Sequence, residues 1–198
     1  MGLKKKLGLG VASAALGLSL VGGGTFAYFN DTTEVNGSFA AGTLDLNAQP
    51  TTIIDVKNIK PGDWMNRAFE LKNDGTLDID QIKLYTDYKV IDAEGNNAGE
   101  DFGDHIRVNF LHNWDKADTP IFFTTLSELK EMDETELYEK VFVPWLGTFG
   151  GYLAAGTSDT LLVQFEFVDN GKDQNKFQGD SLELTWTFEG MQGPGEAK

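Results

Sequence analysis

The chain has 198 residues, 40% of them hydrophobic, and its 14 phenylalanines are enough for one domain with a real core, which excludes general disorder. Its formal net charge of −15 repels phosphate backbones and anionic lipid, and therefore argues against nucleic-acid binding. The absence of cysteine excludes a disulfide framework, thiolate catalysis and cysteine-ligated metal sites.

Residues 1–27 have the pattern of a cleavable signal peptide. Three lysines, Lys4–Lys6, precede an apolar run, a Gly-Gly-Gly break and a small-x-small site that ends at Ala27. The sequence therefore predicts cleavage by a signal peptidase between Ala27 and Tyr28, which leaves 13 basic residues against 31 acidic ones, a net charge of −18. The alternative is a retained anchor, since no charge occurs between Lys6 and Asp31; the uncleaved leader is the only membrane contact expected.

The segment that follows the predicted cleavage site, residues 28–39, alternates like a β-strand. One parity is largely apolar, with Asp31 as its exception, and the other parity is polar. The members of the apolar face used below are Phe29, Thr33, Val35 and Phe39. Such a strand can begin the sheet of its own subunit, or it can complete the sheet of the next subunit by β-strand addition. A head-to-tail contact of the second kind does not close and gives a filament.

The same period-two alternation recurs through residues 40–189 and predicts half-buried antiparallel strands. In the clearest case, Asp180–Glu189, every second residue from Leu182 to Phe188 is apolar and those between are Glu or Thr. The other predicted inward-facing sets are Ile82, Leu84, Tyr88 and Val90; Ile106, Val108 and Phe110; and Leu161, Val163, Phe165 and Phe167. Shorter strands are predicted at Thr43–Asn47, Ile53–Lys57 and Ala68–Lys72, and a type II turn at Lys60–Asp63.

Thr124–Phe142 departs from this alternation and has helical spacing. Thr125 with Glu128 forms a candidate capping box, and Asp133 with Glu136 repeats that signal. We therefore expect two short helices that join near Asp133 and cover one end of the domain.

These elements predict an all-β fold, an antiparallel, jelly-roll-like β-sandwich with one or two short helices in an insertion. The predicted organisation is a cleavable signal peptide at 1–27, an N-terminal assembly strand at 28–39, the sandwich domain at 40–189 and a disordered tail at 190–198.

Motifs for catalysis or metal binding are sparse. A zinc hydrolase commonly places two histidines one helical turn apart with a glutamate between them, and the chain has no H-E-x-x-H or G-x-S-x-G sequence. Its two histidines, His105 and His112, fall in one predicted strand, where a separation of seven residues sends their rings to opposite faces. We expect no catalytic residue, cofactor or metal; His105 and His112 are the zinc-ligand candidates only if the protein is a metalloprotease.

Several segments together resemble the TasA/camelysin family of exported Bacillus proteins, most closely its camelysin branch. They are KKKLGLGVASAALGLSLVGGGTFAYFND, SFAAGTLDL, IKPGD, LKNDGTL and NKFQGDSLELTWTFE, and the resemblance covers nearly the whole chain. The leader through Leu46 and the closing strand are its most specific parts.

This resemblance implies a jelly-roll domain, processing by a dedicated signal peptidase and assembly into extracellular biofilm matrix fibres of a Gram-positive bacterium. It also implies an accessory matrix protein as a further partner. With it, the expectation becomes a secreted homopolymer in which the strand at 28–39 completes the next subunit. Camelysin-type members carry a metalloprotease description as well, so a cell-surface metalloendopeptidase that uses zinc is the alternative.

Overall fold

The strands and helices are taken from a computed structural model that describes residues 30–33, 44, 46–49, 54–57, 59–116 and 119–193. The strands are β1 Asn30–Thr33, β2 Leu46–Gln49, β3 Ile54–Lys57, β4 Trp64–Asn73, β5 Gln81–Ile91, β6 Ile106–Leu111, β7 Phe122–Thr125, β8 Ser158–Phe167 and β9 Ser181–Met191. The helices are α1 Leu126–Glu131, α2 Glu134–Leu137 and α3 Val143–Gly147, with a π-helical turn at Tyr138–Phe142. Short 3₁₀ turns occupy Phe102–His105, Trp114–Lys116 and Asn175–Phe177.

The described strands form two antiparallel sheets. In the first sheet β9 is central, β5 pairs with its whole length on one side, and β1 and β3 share its other side. The second sheet has the order β2-β4-β8-β6-β7. The predicted all-β antiparallel sandwich with a short helical insertion is confirmed.

The core lies between the two sheets and is strongly aromatic. Trp186 of β9 is fully buried, and its ring centroid lies 5.1 Å from that of Phe69, 5.6 Å from Phe165 and 5.9 Å from Phe110. The predicted inward-facing positions of β6, β8 and β9 are buried, and those of β5 are buried or partly buried. The parity of the alternation therefore predicted the core faces of β5, β6, β8 and β9 correctly.

The predicted turn before β4 is present, but the predicted bounds of two strands were wrong: β4 spans Trp64–Asn73 where Ala68–Lys72 was predicted, and β2 spans Leu46–Gln49 where Thr43–Asn47 was predicted. In the turn before β4 the N–H of Asp63 donates to the carbonyl of Lys60 at 2.9 Å, and Gly62 has φ +88°, as the predicted type II turn requires. Strand β9 ends at Met191, two residues beyond the predicted boundary of the sandwich domain.

The helical insertion begins with the predicted caps. The Thr125 hydroxyl accepts from the Glu128 N–H at 3.2 Å while the Glu128 carboxylate accepts from the Thr125 N–H at 3.2 Å, and Asp133 caps α2. The insertion lies beside β5 and β7, the outermost strands of the two sheets on this side, and Lys130 bonds to Asp87 of β5 at 2.8 Å. It therefore closes one side of the sandwich, whereas the sequence predicted a cover over one end.

Candidate functional site

The part of the predicted assembly segment that the structure describes is β1, at the edge of the first sheet. Asn30, Asp31, Thr32 and Thr33 pair with Met191, Gly190, Glu189 and Phe188 of β9. Strand β1 thus pairs within its own subunit, which is the first of the two arrangements that the alternation allowed. Position 33 is opposite Phe188, which faces the core, so the odd-numbered positions share the register of the buried face of β9.

Most of the predicted assembly and cleavage residues lie outside the described part of the chain. These are Ala27, Tyr28, Phe29, Val35 and Phe39. Thr33 is the member of the set that the structure describes, and it pairs with Phe188 of β9.

The β9 segment that receives β1 is held in place by the core. A Cβ atom on Gly190 would lie 3.0 Å from Ile79 Cδ1 and 3.3 Å from Leu46 Cβ, so a side chain at this position would require its neighbours to shift by a few tenths of an ångström. The Phe188 ring packs 6.2 Å from that of Trp186. Because these contacts come from β2, β9 and the loop before β5, the edge of β9 is positioned by residues other than those of β1.

On the opposite face of β9, Glu189 is also fixed. Its side chain is buried and accepts a hydrogen bond from the Tyr85 hydroxyl at 2.7 Å. Burial, together with this hydrogen bond, raises the pKa of Tyr85 to about 12, so the phenol stays protonated at neutral pH and keeps donating. The part of β9 that pairs with β1 is therefore held by side-chain contacts on both of its faces.

The two histidines do not form a metal site. The strand between them spans Ile106–Leu111, so the prediction that both lie within it was wrong: His105 ends a 3₁₀ turn and His112 follows the strand. A seven-residue separation along extended chain is roughly 23 Å, which is too far for one ion. His105 is packed 4.6 Å from the Phe177 ring, and its Nε2 lies 3.8 Å from Glu100 Oε2, while His112 is exposed.

No alternative metal centre occurs in the described ranges. Among these residues, no group of three or more His, Asp or Glu side chains has the arrangement that could hold a metal ion. The donor set expected of a zinc peptidase is therefore not assembled by the described residues.

None of the helices within the described ranges combines the length and the apolar character needed to cross a bilayer.

Two comparisons place this arrangement among known proteins. Residues 2–197 match the sequence profile of a family described as camelysin metallo-endopeptidase. The chain is also 33% identical over 232 residues to the major biofilm matrix component of Bacillus subtilis (strain 168), an alignment that covers 97% of this chain and 89% of that protein.

Proposed function

Because the chain belongs to the TasA/camelysin family, we propose that it is a secreted structural subunit of a biofilm matrix that polymerises head to tail through its N-terminal strand. The matrix role and the extracellular location are supported by the name of the Bacillus subtilis relative. The mode of assembly is supported by one observation, the pairing of β1 at the open edge of β9.

Exchange of this strand between subunits preserves its contacts. An identical segment from a second copy can form the same four residue pairs with Phe188–Met191, so the exchange costs no backbone hydrogen bonds. Residues 34–43 connect Thr33 to Leu44, and ten extended residues span about 33–36 Å, which is long enough to reach a neighbouring molecule.

The apolar parity of the segment supplies further stabilisation. Burial of Phe29, Val35 and Phe39 in a neighbour would contribute roughly 1.5–3 kcal/mol each, before the cost of ordering the chain. Cleavage after Ala27 then controls assembly, because the uncut leader tethers the segment to the membrane. A signal peptidase and an accessory matrix protein are the further partners that this proposal includes.

A disulfide test distinguishes strand exchange from pairing within one subunit. The natural chain has no cysteine, and Asn30 lies directly opposite Met191, so the double variant Asn30→Cys/Met191→Cys reports on this single contact. In oxidised filaments we expect a ladder of covalent oligomers on a non-reducing denaturing gel, because each bond joins two subunits.

The matched control is Asn30→Cys/Ser181→Cys, which pairs β1 with the far end of β9 and should give no ladder. Filaments of Asn30→Cys/Met191→Cys that run wholly as intramolecularly bridged monomers would contradict strand exchange. Each single-cysteine variant controls for random intermolecular bonds.

The metalloendopeptidase alternative is tested by a separate measurement. We expect the purified protein to hold less than stoichiometric zinc and to show no chelator-sensitive digestion of casein, since His105 and His112 lie at opposite ends of β6. Elemental analysis and a casein assay with and without chelator check this. Zinc at one equivalent, with activity lost in both His105→Ala and His112→Ala, would favour the peptidase.

A further inference from the structure

A second feature lies away from β1, at the opposite edge of the other sheet. A cavity of 380 Å³ opens between β6, β7, the first turn of α1 and the segment that follows β8. Residues that line it include Asp104, Arg107, Phe123, Glu128 and Asn170. Its volume is within the range of about 300–1,000 Å³ that is usual for small-molecule sites.

One wall of the cavity is an exposed aromatic ring. Phe123 of β7 is 56% exposed, whereas phenylalanine side chains are most often buried. The Arg107 guanidinium carbon lies 4.9 Å from the centroid of the ring and covers part of it. The rest of the ring offers a flat apolar surface to a ligand.

Arg107 is held in place by a row of side chains across the sheet. Its Nε donates to Asn109 Oδ1 at 2.9 Å and lies 3.7 Å from Glu166 Oε2. Asn109 donates to Gln164 at 3.3 Å, and Gln164 donates to Asn66 at 3.1 Å. Within the described part of the chain, the two terminal nitrogens of Arg107 make no hydrogen bond, so their four N–H donors are oriented but unused.

Acceptors line the same cavity. One oxygen of Glu128 accepts from the Thr124 hydroxyl at 2.7 Å and from the Thr125 N–H at 3.2 Å. These hydrogen bonds lower the pKa of Glu128, so the carboxylate is ionised at neutral pH and its second oxygen can accept from a ligand. The Asp104 carboxylate makes no hydrogen bond to any residue that the structure describes, and it adds a second acceptor group.

The donors, acceptors and aromatic ring that line the cavity indicate the chemical class of its ligand. The named lining carries two carboxylates against one guanidinium, so an anion would be repelled by Asp104 and Glu128, while a cation would be attracted by these groups and repelled by Arg107. A ligand that uses both the donors of Arg107 and the acceptors of the two carboxylates must itself donate and accept hydrogen bonds. Sugar hydroxyls both donate and accept, and a pyranose ring has an apolar face that can pack on Phe123. We propose that this cavity binds a sugar unit of a neutral polysaccharide.

The cavity and the assembly edge lie on different sheets. Arg107 and Phe123 belong to β6 and β7 of the second sheet, whereas β1 pairs with β9 of the first. Saccharide binding therefore does not depend on strand exchange, and a negative result for one proposal leaves the other untouched.

Isothermal titration calorimetry of the full chain tests the site. The probes are cellohexaose, maltohexaose and chitohexaose as neutral ligands, with hexagalacturonate, inorganic phosphate and calcium chloride as charged comparisons. We expect at least one neutral hexasaccharide to bind, and to bind more tightly than any charged probe. Absence of binding by all three neutral probes, or tighter binding of a charged probe that the cavity variants weaken, would overturn the proposal.

Variants then locate the binding. Phe123→Ala and Arg107→Gln should each lower the association constant about tenfold or more. Phe123→Leu keeps apolar area but removes the flat ring, so it should lose affinity without loss of folding. The matched control Tyr152→Ala alters an aromatic side chain that is 42% exposed elsewhere on the surface and should bind like the natural chain. Unchanged affinity in both Phe123→Leu and Arg107→Gln would refute the assignment.

Discussion

A variant that lacks residues 28–38 should remain a folded monomer and form no filaments. The first sheet keeps β3, β5 and β9 without this segment, and β9 is packed against β2 and the loop before β5, which the variant retains. The variant loses the strand that would occupy the edge of the next subunit. Electron microscopy of protein that begins at Tyr28, beside the deletion variant, measures the difference, and circular dichroism checks the fold.

Val35→Asp provides a milder form of the same experiment. A charge on the apolar parity of the segment should weaken assembly while the domain stays folded, because a buried carboxylate without a partner is costly. Asn36→Asp, which adds the same charge on the polar parity, is the matched control and should assemble nearly normally. Filaments formed by the deletion variant, or normal fibres from Val35→Asp, would count against strand exchange in this register.

Trp186→Ala should destabilise the domain by about 3–5 kcal/mol, the usual cost of removing a buried aromatic side chain. Trp186 is fully buried at the centre of β9 and contacts rings from both sheets, so its loss leaves a large cavity. Because small domains are stable by only about 5–15 kcal/mol, this is a large share of the total. Urea unfolding of the monomeric deletion variant, followed by circular dichroism, gives the value free of any contribution from assembly.

Two substitutions make this prediction specific. Trp64 is 62% exposed, so Trp64→Ala should change the free energy of unfolding by no more than about 0.5 kcal/mol. Trp186→Phe should cost less than Trp186→Ala, because it leaves a smaller cavity and removes an indole N–H that has no hydrogen-bond partner among the described residues. Equal effects of Trp64→Ala and Trp186→Ala would contradict the central role of Trp186 in the core.

The candidate sites differ in how far the sequence could predict them. The alternation around Thr33 predicted a strand, since a period of two is a local property. The cavity at Arg107 and Phe123 could not be predicted, because it joins a 3₁₀ turn, two strands, a helix start and a loop that lie far apart along the chain. The failed placement of His105 and His112 within one strand is a boundary error, and boundaries depend on how the 3₁₀ turn before Ile106 packs.

The sequence by itself determined the class of fold, the buried faces of β5, β6, β8 and β9 and the caps of the first two helices, because each follows from the order of apolar, polar and capping residues over a few positions. Tertiary structure alone decided which edges pair, including the place of β1 beside β9, because backbone hydrogen bonds on a strand edge are nearly independent of side chains. It also decided that the helical insertion lies along the side of the sandwich, where its π-helical turn contacts β5, because helical spacing predicts a helix but not the surface on which it packs. In this chain the local sequence determines which face of a strand is buried, whereas the packing of the whole domain determines which strands pair.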